Sequence, residues 1–364
     1  NTTGEVPSPL AVRGASGAPD PRGGLSMKFG VGLPTCTEGM MYPVPFAAPA
    51  DVVRLAVEAE ALGYYAVMGN DHMTTQRYVR AEFDTPPNFY EPLVTYAVLA
   101  PQTSRIRLMT GVIVLPMRTP VVLAKQVATL DQFSGGRVLL GVGVGAYREE
   151  FEALAPGAQA RRGEMLEEGI AALRVLFTER RATFHGRYYA FDDVEMYPKP
   201  LQQPLPIYVG GNAPQHHRRV VQYADGWLPA ALTPAEVAAG LARIRAYAAA
   251  AGRDLAGLDV ALQVGVSIAP TREAAVERFL RSQLYKHLVS LRGSTMRGLA
   301  MESFAERNLL GTPEDIRRQV EAYRQAGVTH LAGLLFVANT VAEFLESMRL
   351  FGREVVAAFP EAAA

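Results

Sequence analysis

Residues 119–144 read TPVVLAKQVATLDQFSGGRVLLGVGV, which is the pattern of one helix followed by one strand. Thr119 and Pro120 are typical of a helix start. Apolar residues then recur at the spacing of one helix face, at Leu123, Val127 and Leu130. Gly135 and Gly136 predict the end of the helix, and the apolar run that follows predicts a buried strand.

The same alternation of short apolar runs and helix-period segments continues along the chain from Met27 onward. Eight runs are predicted as strands: Phe29–Leu33, Tyr65–Asn70, Leu108–Leu115, Val138–Val144, Ile207–Gly210, Gly226–Pro229, Val260–Ile268 and Leu331–Val337. Because these runs are almost continuously apolar, the strands are expected to be covered on both faces. The sequence predicts a (β/α)8 TIM barrel, with an open doubly wound sheet as the alternative.

The predicted barrel has two long connections and an unusual start. A barrel of this type needs roughly 250 residues, and the surplus lies in extended insertions after strands four (Gly145–Pro206) and seven (Ala269–His330). Residues 1–26 are rich in proline and glycine and have few large apolar side chains. We interpret 1–26 as a disordered leader or extraneous remnant, with a docked arm as the alternative, and 27–364 as a single barrel domain.

Charge and cysteine content exclude several classes of protein. The 36 basic and 36 acidic residues balance, which argues against binding to nucleic acid or to an anionic membrane. Cys36 is the only cysteine, so neither an internal disulfide nor a cysteine zinc site can form. No apolar run approaches the ~20 residues of a membrane span. The sequence therefore predicts a soluble protein of a reducing compartment, the cytoplasm.

The usual hydrolase and metal-site motifs are absent from the sequence. The six histidines show neither His-x-His nor His-Glu-x-x-His spacing, so we predict no metal site. There is no Gly-x-Ser-x-Gly motif, and Cys36 has no neighbouring histidine, which argues against a serine or cysteine nucleophile. No phosphate-binding P-loop occurs, and the glycines of 141–145 are misplaced for a dinucleotide fingerprint.

His72 is the histidine with the strongest local support. It follows Asp71 directly after the second predicted strand, at the end of the barrel where active sites lie. An imidazole and a carboxylate at this point could bind a heteroaromatic cofactor or move a proton near neutral pH. The alternative is a histidine that only caps the strand end.

A second candidate site lies after the fifth predicted strand. Gly210, Gly211 and Asn212 lead into a helix that begins near Pro214. Glycines allow a ligand to approach the main chain, and a helix N-terminus attracts anions, so this segment suits a phosphate group. The alternative is a tight turn without a ligand. The following pair, His216-His217, is predicted to be an exposed or phosphate-facing turn.

Several segments together resemble the bacterial luciferase-like superfamily of flavin- and coenzyme F420-dependent oxidoreductases. The segments span most of 27–359 in the expected order: Phe29–Pro34, Gly69–His72, Thr110–Pro116, Ala124–Gln126, Thr129–Arg137, Gly141–Gly145 and Pro206–Gly211. Within the superfamily the chain is most similar to the actinobacterial F420-type branch.

The resemblance implies a flavin or deazaflavin ring in the mouth of the barrel. It implies a non-prolyl cis peptide between Gly111 and Val112 that supports the ring, and a histidine beside the ring at His72. It assigns cofactor contacts to Asn70, Asp71, His72, Thr110, Gly111, Val112, Gly143, Val209, Gly210, Gly211 and Asn212, and catalysis to His72 and Asp71.

Gln76 stands where sugar-phosphate dehydrogenases of this branch have tryptophan, which counts against that substrate class. Their acidic residue after strand four has no clear equivalent, unless Glu149 or Glu150 substitutes.

The cofactor would decide the reaction. With F420, which we take as the primary expectation, a hydride passes between the deazaflavin and a small organic substrate. With FMN, the alternative, the chain would be an FMNH2-dependent monooxygenase served by a separate reductase. A non-catalytic flavin-binding barrel is a second alternative. Tyr42, Tyr147 and Tyr197 are candidate pocket aromatics, and homodimerisation is expected by analogy with the family.

Overall fold

The computed structural model describes residues 27–154, 161–293 and 300–359, so the predicted leader at 1–26 lies outside the described residues. The strands within these ranges are β1 (Lys28–Gly32), β2 (Ala66–Gly69), β3 (Arg107–Thr110), β4 (Ile113–Val114), β5 (Val138–Gly143), β6 (Ala182–His185), β7 (Ala190–Val194), β8 (Ile207–Gly210), β9 (Gly226–Leu228), β10 (Asp259–Ile268), β11 (Leu309–Gly311) and β12 (His330–Phe336). The helices are α1 (Pro49–Ala61), α2 (Arg77–Glu82), α3 (Pro92–Leu99), α4 (Pro120–Ser134), α5 (Arg148–Leu154), α6 (Arg162–Thr178), α7 (Pro214–Tyr223), α8 (Pro234–Ala251), α9 (Arg272–Leu280), α10 (Gln283–Ser290), α11 (Pro313–Gln325) and α12 (Val341–Glu354).

Eight of these strands form a closed parallel barrel. Their order is β1, β2, β3, β5, β8, β9, β10, β12 and back to β1. The predicted (β/α)8 barrel is confirmed, and the open-sheet alternative is wrong because the β9–β10 and β12–β1 pairings complete the ring. The predicted strands coincide with the observed ones to within about two residues, except that the third divides into β3 and β4.

The break in the third strand lies at the peptide bond between Gly111 and Val112, which is cis. β3 pairs with β2 and β5 before this bond, and β4 pairs with β5 after it. The cis peptide that the resemblance implied is therefore present, at the carboxyl end of the barrel.

The two long connections contain further structure. Between β5 and β8 the chain forms α5, α6 and the antiparallel β6–β7 hairpin. Between β10 and β12 it forms α9, α10, β11 and α11, and β11 pairs with β10 outside the barrel. Since both connections leave the carboxyl ends of their strands, they contribute residues to the mouth of the barrel.

Helix boundaries follow the sequence signals with one exception. Pro120 and Gly135 bound α4 as predicted, and Thr312 caps α11 through its hydroxyl, which accepts from the Asp315 N–H at 3.2 Å. Because Asp51 directly precedes the apolar residues Val52 and Leu55 in the sequence, it is expected to cap α1, and this expectation is wrong. The helix begins at Pro49, and the Asp51 carboxylate accepts from the Ala48 N–H at 3.0 Å from inside the first turn.

The barrel interior is apolar in the middle and charged at its amino end. A buried cluster fills the middle: Ala66, Met68, Met109, Leu139, Tyr208, Leu228, Ala261 and Ala332. Below it, the Asp259 carboxylate accepts from the Tyr208 hydroxyl at 2.8 Å, pairs with Lys28 at 3.1 Å and lies 3.7 Å from Nδ1 of His330. Among the described residues, no helix is both long and apolar enough to cross a membrane.

Candidate active site at the carboxyl end of the barrel

The sequence-predicted site residues converge on the carboxyl end of the barrel. Asn70, Asp71 and His72 follow β2, the Gly111–Val112 bond follows β3, and Gly143 ends β5. Gly210, Gly211 and Asn212 stand at the end of β8. Neighbouring parallel strands bring these positions to one face of the barrel, which is where barrel enzymes place their active sites.

His72 pairs with a carboxylate that comes from a different connection. Its Nδ1 lies 3.1 Å from Oε2 of Glu150 on α5, while Oε1 of Glu150 accepts from the Met73 N–H at 2.9 Å. The His72 side chain is 12% exposed and the Glu150 side chain only 2%. Because a carboxylate only accepts, the neutral imidazole carries its proton on Nδ1, which leaves Nε2 as an acceptor.

Gln76 and two aromatic rings complete the surroundings of this imidazole. The Gln76 side-chain amide lies 3.2 Å from Nδ1 of His72 and is fully buried. Tyr147 meets the imidazole edge-on with ring centroids 5.5 Å apart, and Phe89 lies at 6.0 Å. Two connections, the one after β2 and the one after β5, thus fix the orientation of His72 before any ligand binds.

Asp71, to which the sequence analysis assigns catalysis, contacts Arg118 and β4 in the structure. Its carboxylate accepts from Nε and Nη2 of Arg118 at 3.1 and 2.7 Å, and from the Val114 N–H at 3.0 Å. Burial lowers the pKa of Arg118, but the hydrogen bonds and charges of Asp71 and Glu91 outweigh it and raise that pKa. With both oxygens engaged in this pair, the Asp71 side chain holds β4 and Arg118 in place, and Glu150 is the carboxylate partner of His72.

Cys36 lies within range of several carboxylates at this end of the barrel. Cys36 is buried beside the site, with its Sγ 3.6 Å from the His72 carbonyl oxygen and 3.1 Å from that of Tyr90. Burial raises the pKa of its thiol to about 12, and the charges of Asp71, Glu91 and Glu150 add to the effect. This cysteine is therefore an uncharged packing residue, and the carboxylates outnumber the Arg118 cation around it.

Val112 explains two of the predicted glycines. A Cβ atom added at Gly143 would lie 2.6 Å from Cγ2 of Val112, and one added at Gly210 would lie 2.8 Å from its Cγ1. Glycine at both positions makes room for the Val112 side chain, which projects into the mouth from the cis peptide. A partly exposed apolar side chain at this place suits a flat ring lying against it.

Two of the predicted cofactor-binding residues, Thr110 and Val209, have no side chain available to a ligand. Thr110 is fully buried, and its hydroxyl donates to the Gly141 carbonyl oxygen at 2.8 Å. Val209 belongs to the core cluster that includes the helix residues, so its side chain faces away from the barrel interior. Only the main chain of these two residues is available to a ligand.

The side chains of the segment after β8 are more closely packed and hydrogen-bonded than the sequence analysis predicts. The Asn212 side chain is engaged by Ala230, to whose carbonyl oxygen it donates at 2.9 Å, and a Cβ at Gly211 would lie 2.5 Å from the His216 ring. The expectation that the His216-His217 turn is exposed is wrong for His217, which is buried and packs against Trp227 with ring centroids 5.0 Å apart. Burial lowers the pKa of both histidines to about 4.

A buried polar atom without a partner lies at this end. The side-chain oxygen of Asn70 accepts no hydrogen bond from the residues that the structure describes. Such atoms are usually satisfied in folded proteins. Together with Val112 and His72, this oxygen fits a flat heteroaromatic group that carries hydrogen-bonding atoms on its edge. No cluster of three or more metal-ligating side chains occurs within the described ranges.

Glu150, Arg118 and Phe89 were not assigned to the site from sequence. Glu150 was considered only as a substitute if its loop shifted, and α5 does bring it to His72. A signal existed for it, because a glutamate soon after a barrel strand lies near the mouth. No local pattern identifies Arg118 or Phe89, since their partners are distant in the chain.

Comparison with known proteins identifies the family. Residues 27–330 match the family described as luciferase-like monooxygenase. An uncharacterized protein of Mycobacterium tuberculosis is 32% identical over 251 residues, which cover 65% of this chain and 84% of that protein. The F420-dependent glucose-6-phosphate dehydrogenase of Segniliparus rotundus is 28% identical over 298 residues, covering 78% of this chain and 87% of that enzyme.

Two solved structures share the fold. An F420-dependent secondary alcohol dehydrogenase in complex with an F420-acetone adduct has a TM-score of 0.75 at 21% identity, covering 92% of this chain and 100% of the other. The FMN-bound oxygenating constituent of 3,6-diketocamphane monooxygenase of Pseudomonas putida has a TM-score of 0.71 at 19% identity, covering 93% and 100%. The predicted similarity to this superfamily and its F420-type branch is confirmed: the chain belongs to the luciferase-like monooxygenase family and is an enzyme of that class.

Proposed function

We propose that the chain is an F420-dependent oxidoreductase that transfers a hydride to or from a small organic substrate. The observation that carries the proposal is the His72–Glu150 pair, 3.1 Å apart at the carboxyl end of the barrel. The sequence relatives named for F420 support it. F420, when bound, supplies a ring carbon that accepts or donates the hydride.

In this proposal, His72 is the catalytic acid and base. Because Glu150 holds the proton on Nδ1, Nε2 is free to take the hydroxyl proton of an alcohol and to return it to a carbonyl oxygen. The carboxylate stabilises the imidazolium that forms. Burial of Glu150 strengthens this effect, since charges interact more strongly away from water. Asp71 acts as a positioning residue through Arg118 and β4.

The residues that would hold the cofactor divide into two groups. Asn70, His72 and Val112 would contact the ring, together with the main chain of Thr110 and Gly111. The turn at Gly210 and Gly211, whose Gly211 N–H donates to the Leu228 carbonyl oxygen at 3.2 Å, would lie against the phosphate-bearing part, beside Gly143. Val209 and Asn212 support that turn from behind. The glycines at 143 and 210 leave room for the Val112 side chain that would contact the ring.

An FMN-dependent monooxygenase is the second candidate, because an FMN-bound monooxygenase shares the fold. That reaction would need molecular oxygen and a partner reductase that supplies reduced FMN. His72 and Glu150 favour the hydride reaction, since moving a substrate proton requires such a pair. A non-catalytic flavin-binding barrel would have no use for an oriented, partly exposed imidazole.

Cofactor titration tests the proposal. The purified chain is titrated with F420 and with FMN in both redox states, and fluorescence is followed. We expect saturable micromolar binding of F420 and at least tenfold weaker binding of FMN. Preference for FMN, with oxygen consumption after reduction, would favour the monooxygenase. Binding of F420 with no turnover of any alcohol or carbonyl compound would favour the non-catalytic barrel.

We further propose that the chain forms a homodimer through α3 and α4. Val94 and Val98 on α3 and Val122 on α4 are each more than half exposed, and the two helices pack side by side. Exposed apolar side chains on adjacent helices are typical of an interface. Sedimentation of Val94→Glu and Val98→Glu variants tests this, because both should shift the chain toward the mass of one copy. Unchanged mass would rule out this face.

A further inference from the structure

The wall of the barrel mouth beside His72 consists of aromatic rings. Tyr147 and Phe89 contact the imidazole, and Tyr78 on α2 lies 6.1 Å from Tyr147 between ring centroids. All three aromatic residues are partly exposed and pack on the hydrophobic core. They therefore present an apolar surface, the aromatic wall, next to the group that we assign to proton transfer.

The polar atoms of this wall point inward. The Tyr78 hydroxyl and Nδ1 of His287 share a hydrogen bond of 3.0 Å, and the Tyr147 hydroxyl is buried beside Tyr78. Burial, with a smaller effect of His72, lowers the pKa of His287 to about 3, and burial raises the pKa of the Tyr147 phenol. These groups are therefore uncharged at neutral pH, and the rings offer their apolar parts to the mouth.

Contacts from the connection after β10 hold the wall in place. Lys286 on α10 pairs with Glu82 on α2 at 2.6 Å, and the Gln283 side chain donates to the Gly39 carbonyl oxygen at 3.0 Å. His287 lies on the same helix, so α10 fixes Tyr78 from behind. A surface that is ordered before binding loses less entropy when a ligand binds.

The charges around His72 oppose an anionic substrate. The Arg118 guanidinium is shared between Asp71 and Glu91, and the Glu150 carboxylate pairs with the imidazole itself. A phosphate group brought to His72 would meet the Glu150 carboxylate, while the Arg118 guanidinium is already paired with two carboxylates. Sugar phosphates are therefore disfavoured at this position.

We propose that the aromatic wall binds the aromatic part of an uncharged alcohol or ketone whose oxygen reaches Nε2 of His72. The inference rests on the proposed function and names its substrate class. In the oxidation direction, the hydride of the carbinol carbon passes to oxidised F420, and the hydroxyl proton passes to His72. The carbon–oxygen single bond becomes the ketone double bond, and the reverse reaction returns both.

The test compares three probes with the F420-loaded protein: 1-phenylethanol, 2-propanol and glucose 6-phosphate. We expect kcat/KM for 1-phenylethanol to exceed that for 2-propanol by about tenfold, because the phenyl ring gains an aromatic contact and buries apolar area that the methyl group lacks. We expect no turnover of glucose 6-phosphate. Acetophenone and acetone binding is measured in parallel by saturation-transfer NMR. Preference for 2-propanol or for the sugar phosphate would overturn the inference.

Variants of Tyr147 separate the effect of its ring from that of its hydroxyl. Tyr147→Ala should weaken acetophenone binding about tenfold and leave acetone binding within about twofold, whereas Tyr147→Phe should retain both. Equal losses for acetophenone and acetone would overturn the inference. Phe89→Ala provides the same comparison if Tyr147→Ala does not fold. F420 fluorescence is measured first in each variant, since failure to bind F420 in the unmodified protein rejects the proposed function itself.

Discussion

The two ends of the barrel each contain a histidine beside a carboxylate, and the two pairs differ in every respect that matters for chemistry. At the carboxyl end, His72 is 12% exposed and contacts Glu150 at 3.1 Å. At the amino end, His330 is fully buried and lies 3.7 Å from Asp259, whose carboxylate is also engaged by Tyr208 and Lys28. A pair that a substrate can reach is suited to catalysis, and a closed pair is suited to stability.

The pair at the carboxyl end should show the largest effect. We expect His72→Ala to lower turnover by about 100- to 10,000-fold, the contribution of a general acid–base group. The free energy of unfolding should fall by about 1–3 kcal/mol, because the truncation leaves the buried Glu150 carboxylate without its imidazole partner, so the loss of turnover should be the larger effect. Steady-state kinetics and urea unfolding measure the two quantities. Retained turnover would remove His72 from the mechanism.

The pair at the amino end should show the opposite behaviour. Asp259→Ala should lower the free energy of unfolding by about 3 kcal/mol, because it removes the partner of Lys28 and Tyr208 inside the barrel. F420 affinity of the folded protein should remain within about twofold, since the site lies at the other end. A stable Asp259→Ala variant with lost cofactor binding would contradict the division of roles.

Glu150→Gln sharpens the comparison at the carboxyl end. The amide can still accept from the Met73 N–H but cannot stabilise an imidazolium, so turnover should fall by about tenfold or more. Nitrogen NMR of His72 should also show a loss of the Nδ1–H tautomer. Glu149→Gln is the matched control on the same helix, since Glu149 accepts from the Arg77 N–H instead. An equal effect of both variants would reject the specific role of Glu150.

The smallest expected effect is the contribution of His330 to the pH dependence of the free energy of unfolding. Burial lowers the pKa of His330, so below pH ~6.5 this histidine binds a proton in the unfolded chain but not in the folded chain. The free energy of unfolding therefore falls as the pH falls. His330→Gln should reduce this slope by up to about 1.4 kcal/mol per pH unit, as measured by unfolding between pH 5 and 7. An unchanged slope would mean that His330 accepts the proton in the fold.

The fold could be predicted because its signals are local, whereas the site depended on distant contacts. Proline and glycine punctuation around α4 and the apolar runs of the strands lie within a few residues of one another. The pairing of His72 with Glu150 joins residues 78 positions apart, through a helix of seven residues that has no strong sequence pattern. The pairing of Asp71 with Arg118 could not be predicted for the same reason, since Arg118 comes from another connection.

The Val112 side chain has an evolutionary consequence. Since its two methyl groups fill the space that a Cβ would need at Gly143 and at Gly210, these three positions can change only in concert. Homologues that acquire alanine at 143 or 210 should carry a smaller residue at 112, and covariation at these three positions would show that their mutual packing is maintained.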